Sequence, residues 1–146
     1  MSLENGMPDA VALLYGNATH PELFGRGSFF QTPMGGLLVN VEVYGLPENA
    51  GFLGLHLHEV GDCTLPFDKT GAHYNPGNMQ HPQHAGDMPP LLNNRGYAFL
   101  AFYTDRLKLR DVFGKSMIIH SQRDDFTSQP SGDAGEKIAC GVIHRP

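Results

Sequence analysis

The stretch Gly51-Phe52-Leu53-Gly54-Leu55-His56-Leu57-His58-Glu59 alternates with a period of two. Leu53, Leu55 and Leu57 fall on one side and His56 and His58 on the other, the pattern of a β-strand. Two histidines separated by one residue on a strand point to the same face, so both can reach one ion. The same period runs through Gly36 to Tyr44, where Leu37, Val39, Val41 and Val43 oppose Leu38, Asn40, Glu42 and Tyr44. That is the signature of a half-buried antiparallel strand.

Working outward, strands are expected at Asp9 to Tyr15, Gly25 to Gln31, Arg95 to Thr104, Ser116 to His120 and Ile138 to Ile143, with a weaker strand or turn at Leu107 to Val112. Gly45-Leu46-Pro47-Glu48-Asn49 reads as a turn. Two segments lack periodicity: Val60 to Asn94, about 35 residues, and Ser121 to Glu136. Loops of the first length are uncommon in compact domains unless they work or are disordered. The first holds His73, His81, His84 and Asp87, so a working loop is the better reading. The chain of 146 residues, with 18 Gly, 11 Pro and no Trp, is read as one domain of short strands joined by turns. A sandwich or barrel follows.

The net charge of -5 argues against nucleic acid and against an anionic membrane as partners. No apolar run approaches the roughly 20 residues of a membrane-spanning helix. The first nine residues lack a basic region followed by an apolar one, so no secretory signal is visible. The cytoplasm is therefore the expected compartment, giving way to the periplasm or the cell exterior if a leader was removed. Met7 is a candidate native start, making Met1 to Gly6 an expression remnant, and residues 1–8 are expected to lie outside the folded domain. On composition alone the two cysteines, Cys63 and Cys140, are either buried thiols or a bridge.

Imidazole is the commonest ligand for zinc and copper, and a carboxylate is a common companion. One ion is suggested by His56, His58, His73 and His120, and a second by His73, His81, His84 and Asp87. His73 stands in both sets because four ligands each are wanted and seven side chains supply them. A deprotonated imidazole can bind a metal through each ring nitrogen.

The runs Gly54-Leu55-His56-Leu57-His58-Glu59, Gly71-Ala72-His73-Tyr74-Asn75-Pro76, His84-Ala85-Gly86-Asp87, Ile118-Ile119-His120 and Ala139-Cys140-Gly141-Val142-Ile143 together resemble the copper/zinc superoxide dismutase family, in order and over nearly the whole chain. The resemblance implies an all-β, eight-stranded antiparallel Greek-key sandwich or barrel with two long functional loops. It implies copper on His56, His58, His73 and His120, and zinc on His73, His81, His84 and Asp87. Asp124 matches the family's aspartate that ties one copper histidine to one zinc histidine, here His56 and His81. Cys63 and Cys140 match its intrasubunit disulfide, which would close a loop of roughly 78 residues and stabilise the fold by about 4 kcal/mol. The activity implied is dismutation of superoxide, with copper cycling between Cu(II) and Cu(I), zinc holding the loop, and His73 as the group that takes up a proton.

One position departs from the family. Three residues before the second cysteine an arginine is usual, and this chain has Lys137, which keeps the charge but loses the planar fork. Lys137 is expected beside the copper, guiding the anion. Ser121 to Glu136 is short for the family and carries little positive charge apart from Arg123. An alternative reading is therefore a copper- and zinc-binding protein of weak activity that stores metal or serves as structure. The expected partner is the superoxide anion, with a second copy of the chain, as a homodimer, the one macromolecular candidate.

Overall fold

The computed structural model describes residues 6–48 and 51–146. The expectation for residues 1–8 falls mostly outside them, as does Asn49 of the expected turn. Nine strands occur among the described residues: β1 (Ala10–Gly16), β2 (Phe24–Gln31), β3 (Leu37–Tyr44), β4 (Phe52–Leu53), β5 (Leu55–His58), β6 (Leu91–Leu92), β7 (Ala98–Thr104), β8 (Ser116–His120) and β9 (Lys137–His144). Seven form one antiparallel sheet in the order β5-β8-β9-β1-β2-β3-β7, while β4 and β6 pair separately. After the β1-β2-β3 meander the chain crosses to the far edge for β5 and returns to set β7 beside β3. That crossing is the Greek-key device.

Local pattern explains the sheet. On β3 the burial alternates as the sequence does, with Leu37, Val39, Val41 and Val43 in the core and Tyr44 outside. Leu14, Phe29, Leu53, Leu55, Leu57, Met117 and Ile143 join them in one apolar cluster, which curls the sheet around a common interior. The small β4–β6 sheet packs against β7 and covers one end.

Three details refine the sequence reading. The expected strand from Gly51 to Glu59 splits at Gly54 into β4, paired with β6, and β5, paired with β8. A Cβ on Gly54 would stand 2.9 Å from the Ala134 Cβ and 3.2 Å from His56 Cε1, so the second long loop packs directly against this glycine. Of the strand or turn expected at Leu107 to Val112 it is a turn that forms: Leu109–Val112 is a single helical turn, α1, that buries Val112. Leu91–Leu92 in the first long loop is a strand too short for a period to show.

Cys63 and Cys140 are joined by a disulfide with a Cα–Cα distance of 5.7 Å, tying the loop after β5 to β9. It packs with Phe67 and Ile118 in a second small cluster. Replacing both cysteines by alanine is expected to lower unfolding stability by about 2–5 kcal/mol. The urea midpoint of the double variant reads this, and an unmoved midpoint would show that the bridge carries no stability.

Candidate metal centre

Strand β5 is buried on both faces, although its pattern is that of a half-buried strand. Its histidine face is covered by the loop that follows. Leu57 N–H donates to Gly86 O and Tyr74 N–H to Leu57 O, both at 2.8 Å. Single bridges pair His56 with Asp87 and His58 with His73. The backbone of the first long loop thus lies along β5 like a further strand and brings its own histidines over the two on the strand. On the next strand a bulge at Ile119/His120 breaks the β8–β9 register and sets His120 opposite Lys137. Bulges commonly re-aim a side chain in this way.

Every histidine singled out from the sequence converges here, and each of His56, His58, His73, His81, His84 and His120 is at most 6% exposed. A buried neutral imidazole has one N–H and one lone pair, so the partner of one nitrogen decides what the other can do. His58 Nδ1–H donates to Gly71 O at 2.8 Å, and His120 Nδ1–H to Gly135 O at 3.2 Å. Asp124 accepts from His56 Nε2 at 2.8 Å and from His81 Nε2 at 2.7 Å. These bonds leave His56 Nδ1, His58 Nε2, His120 Nε2 and His81 Nδ1 as lone-pair bearers. His58 Nε2 and His120 Nε2 lie 3.3 Å apart.

His73 is placed differently. Its Nε2 is buried without a hydrogen-bond partner among the copper-set rings, as is His56 Nδ1. Its Nδ1 stands 2.8 Å from Asp87 Oδ1 and 3.1 Å from His84 Nδ1. Asp87 Oδ2 is 3.0 Å from His81 Nδ1 and 3.2 Å from His84 Nδ1. The His81 contact is close but misaligned for a hydrogen bond, so this nitrogen too is left without a partner. Buried polar atoms are rarely left so. Lone pairs aimed at common points are the arrangement that a cation satisfies, and the donors, seven nitrogens and one carboxylate, suit copper and zinc.

Two four-ligand sets sharing His73 are thus candidates for two ions, His84 joining the second through its contacts with Asp87 Oδ2 and His73 Nδ1. His56, His58, His73 and His120 offer ligand atoms within 4.8 Å of one another. His56 also lies within that distance of His73, His81 and Asp87, but its Nε2 is committed to Asp124.

The electrostatics agree with ligand duty. Burial lowers the His56 ring to about 4, the His120 ring to about 3 and the His58 ring to about 2, and it lowers His84 as well. These rings are neutral at pH 7, the form that binds metal. Burial alone would raise Asp124, but hydrogen bonds from His56, His81 and the Phe126 N–H hold its carboxyl well below the usual range. The same competition lowers Asp87, chiefly through its bond from His73.

Lys137 lines a cavity of about 480 Å³ that opens over His58, His73 and His120. Its Nζ donates to Thr70 Oγ1 at 2.8 Å and to Gly71 O at 3.2 Å. Burial lowers its pKa, an effect that nearby Asp68 partly offsets. Arg123 does not line this cavity. It borders a separate depression with Phe52, Asp125 and Phe126.

Several supports have no sequence signature. Gly71 O and Gly135 O act through carbonyls that any residue owns. Gln129 clamps His81 with both ends of its amide, accepting from His81 N–H at 2.9 Å and donating to His81 O at 2.8 Å. At Gly132, φ is +72° and a Cβ would come within 2.0 Å of Asp124 Oδ1. A positive φ at a position this crowded was the one hint a glycine could give.

Fold and site together define a Greek-key β-barrel on which β5, β8 and the first long loop bring together two histidine-rich groups that could hold metal ions and that meet at His73. The family model for copper/zinc superoxide dismutase (SODC) matches residues 24–143. The copper–zinc superoxide dismutase of Legionella pneumophila is 35% identical over 143 residues, covering 92% of this chain and 86% of that protein. Superoxide dismutase [Cu-Zn] 2 of Aquifex aeolicus is 37% identical over 141 residues, covering 86% of this chain and 81% of that protein. Among solved structures, a double mutant of a superoxide-dismutase-like protein from Bacillus subtilis superposes with a TM-score of 0.80 at 28% identity, covering 90% of this chain and 95% of that one. The chain belongs to the copper/zinc superoxide dismutase family.

The depressed histidine pKa values carry a signed consequence. The unfolded chain titrates its histidines near 6.5, whereas the folded rings of His56, His58 and His120 take protons only at about 4, 2 and 3. Between those limits the unfolded state binds more protons, so stability falls as pH falls. The melting temperature of metal-free protein is expected to drop from pH 7 to pH 4.5. Calorimetry showing a flat melting temperature over that range would contradict the buried neutral rings.

Proposed function

We propose that this protein is a superoxide dismutase carrying one copper and one zinc, converting two superoxide anions into dioxygen and hydrogen peroxide. The observation that carries the reading is His73, with Nε2 unpartnered among the copper-set rings and Nδ1 against Asp87. Copper held by His56, His58, His73 and His120 supplies one-electron exchange with superoxide, while zinc held by His73, His81, His84 and Asp87 is redox-inert and fixes the loop. The remaining work belongs to side chains of this chain. Asp124 holds the rings of His56 and His81 in fixed orientation by accepting an N–H from each. His73 takes up and returns a proton at Nε2 as the charge of the site changes. Lys137 draws the anion into the cavity: an ammonium has three donors, and Thr70 and Gly71 engage two.

Guidance rests on few charges. Lys137 and Glu59 are the charged side chains lining the cavity, with Arg123 elsewhere and Lys115 over the Tyr74 ring at 5.1 Å. Steering by a local field changes association rates by roughly 10 to 1000-fold and weakens with salt. Protein loaded with both metals is therefore expected to consume superoxide rapidly. At equal copper content Lys137→Ala should lower the second-order rate about tenfold and flatten its dependence on ionic strength, whereas Lys137→Arg should retain it. Stoichiometric copper and zinc without superoxide turnover would leave the metal-storage alternative instead. Turnover unaffected by Lys137→Ala would remove only the steering role.

A homodimer belongs to the same proposal. Tyr15, Phe24 and Tyr44 sit opposite one another on β1, β2 and β3 and are 62%, 53% and 42% exposed, and the last two rings stack at 5.1 Å. A second copy would cover this apolar row. Sedimentation should give a dimer that Tyr44→Glu dissociates, and a monomeric parent protein at micromolar concentration would contradict it.

A further inference from the structure

Behind the metal sets, away from the Lys137 cavity, lies a second pocket of about 450 Å³ that no step of the proposed reaction uses. Asp87 and Asp124 line it, together with Pro82, Phe102, Phe126 and Arg106. Neither carboxylate lines the Lys137 cavity, and Lys137 does not line this pocket. The two openings therefore carry opposite signs at their floors, an ammonium over the copper rings and two carboxylates behind the zinc rings. A superoxide anion is drawn to the first. For a dication the Lys137 and Glu59 charges at the first offset each other, and the two carboxylates draw it to the second.

The rear pocket is open to solvent, but the carboxylates at its floor are covered. The side chains of Asp87 and Asp124 are only 5% and 1% exposed. Arg106 pins its rim, its Nη1 donating to Pro82 O at 2.8 Å and to His84 O at 3.3 Å. The stretch thus pinned carries one zinc-set ligand, His84, and directly follows another, His81. The latch is itself a cation on the rim, so moving it aside frees the stretch and also removes the only positive charge lining the pocket. Beyond it His81 Nδ1, buried and without a hydrogen-bond partner, faces Asp87 Oδ2.

We propose that zinc enters and leaves its ligand set through this rear pocket, with Arg106 as the latch that sets the rate of exchange. The inference rests on the assignment of zinc to His73, His81, His84 and Asp87, and it adds the route. Asp87 and Asp124 act as a relay in it: an incoming dication meets their carboxylates before the imidazoles, exchanging water for protein oxygen one step at a time.

The test uses full-length protein and zinc alone, so copper and activity do not enter. Uptake is followed by mixing metal-free protein with zinc, and release by mixing zinc-loaded protein with a chromophoric chelator. Arg106→Ala should speed both uptake and release about tenfold, the size of a lost charge-assisted hydrogen bond, with an equilibrium affinity nearly unchanged. Arg106→Lys should fall between the two. Thr104→Trp, which fills the pocket from β7, should slow both directions even though it removes the Oγ1 acceptor of the Arg106 backbone N–H. Lys137→Glu, at the other opening, should leave zinc exchange as it was. If Arg106→Ala quickens release alone and weakens affinity, Arg106 merely braces the ligands and the latch is overturned. If Thr104→Trp has no effect and Lys137→Glu speeds uptake, zinc uses the front cavity. Protein that binds no zinc at all would overturn the ligand assignment itself, a result visible at equilibrium before any rate is measured.

Discussion

A buried neutral imidazole must give away its single N–H, and the site follows from where each ring does so. Asp124 takes two of these protons, Gly71 O a third and Gly135 O a fourth. Each donation leaves the opposite nitrogen bare and aimed inward. His73 has no such acceptor outside the cluster, and it is the ring that faces both sets. Three nitrogens remain buried and unpartnered, on His56, His73 and His81. Each unsatisfied buried group costs about 1–3 kcal/mol, a destabilisation that cations bound at these nitrogens would remove.

That arrangement needs a scaffold rigid enough to bear the cost. The sheet supplies it through a continuous apolar interior from β1 to β9. The acceptors, however, sit on loops, and the loops are tied down separately. The disulfide moors the first loop to β9, and the Gln129 amide joins the second loop to the first at His81. Gly54 N–H donates to Gln122 O while its own carbonyl accepts from His120 N–H, so the second loop is anchored where β4 gives way to β5. Lys137 shares the Gly71 carbonyl with His58, which couples its ammonium to the His58 ring through one oxygen.

Much of this was legible in the sequence. Alternation on β3 and β5 named the strands, and histidine spacing placed six rings in one site before any coordinate was known. Asp124 and the cysteines were legible only through family resemblance, since neither a lone acid nor two distant thiols declares its partner. What stayed hidden has a common physical cause. Backbone carbonyls at Gly71 and Gly135, the clamp at Gln129 and the latch at Arg106 act by position, and position is a property of the folded loops. The interruption at Gly54 was hidden for the same reason, because apolar alternation continues across it while the partner strand changes. Leu107 to Val112 left strand and turn both open, and its apolar residues turn once as a helix to bury Val112.

Gly132 shows what such positions mean for variation in this chain. It has no side chain and touches no substrate, yet a methyl group there would occupy the space of the Asp124 carboxylate, and its φ of +72° disfavours every other residue as well. A change at this glycine would push aside the one group that fixes a ring in each ligand set. The chain's genetic vulnerability is therefore displaced from its chemistry: a residue with nothing to contribute is as hard to replace as a ligand, because what it contributes is vacancy.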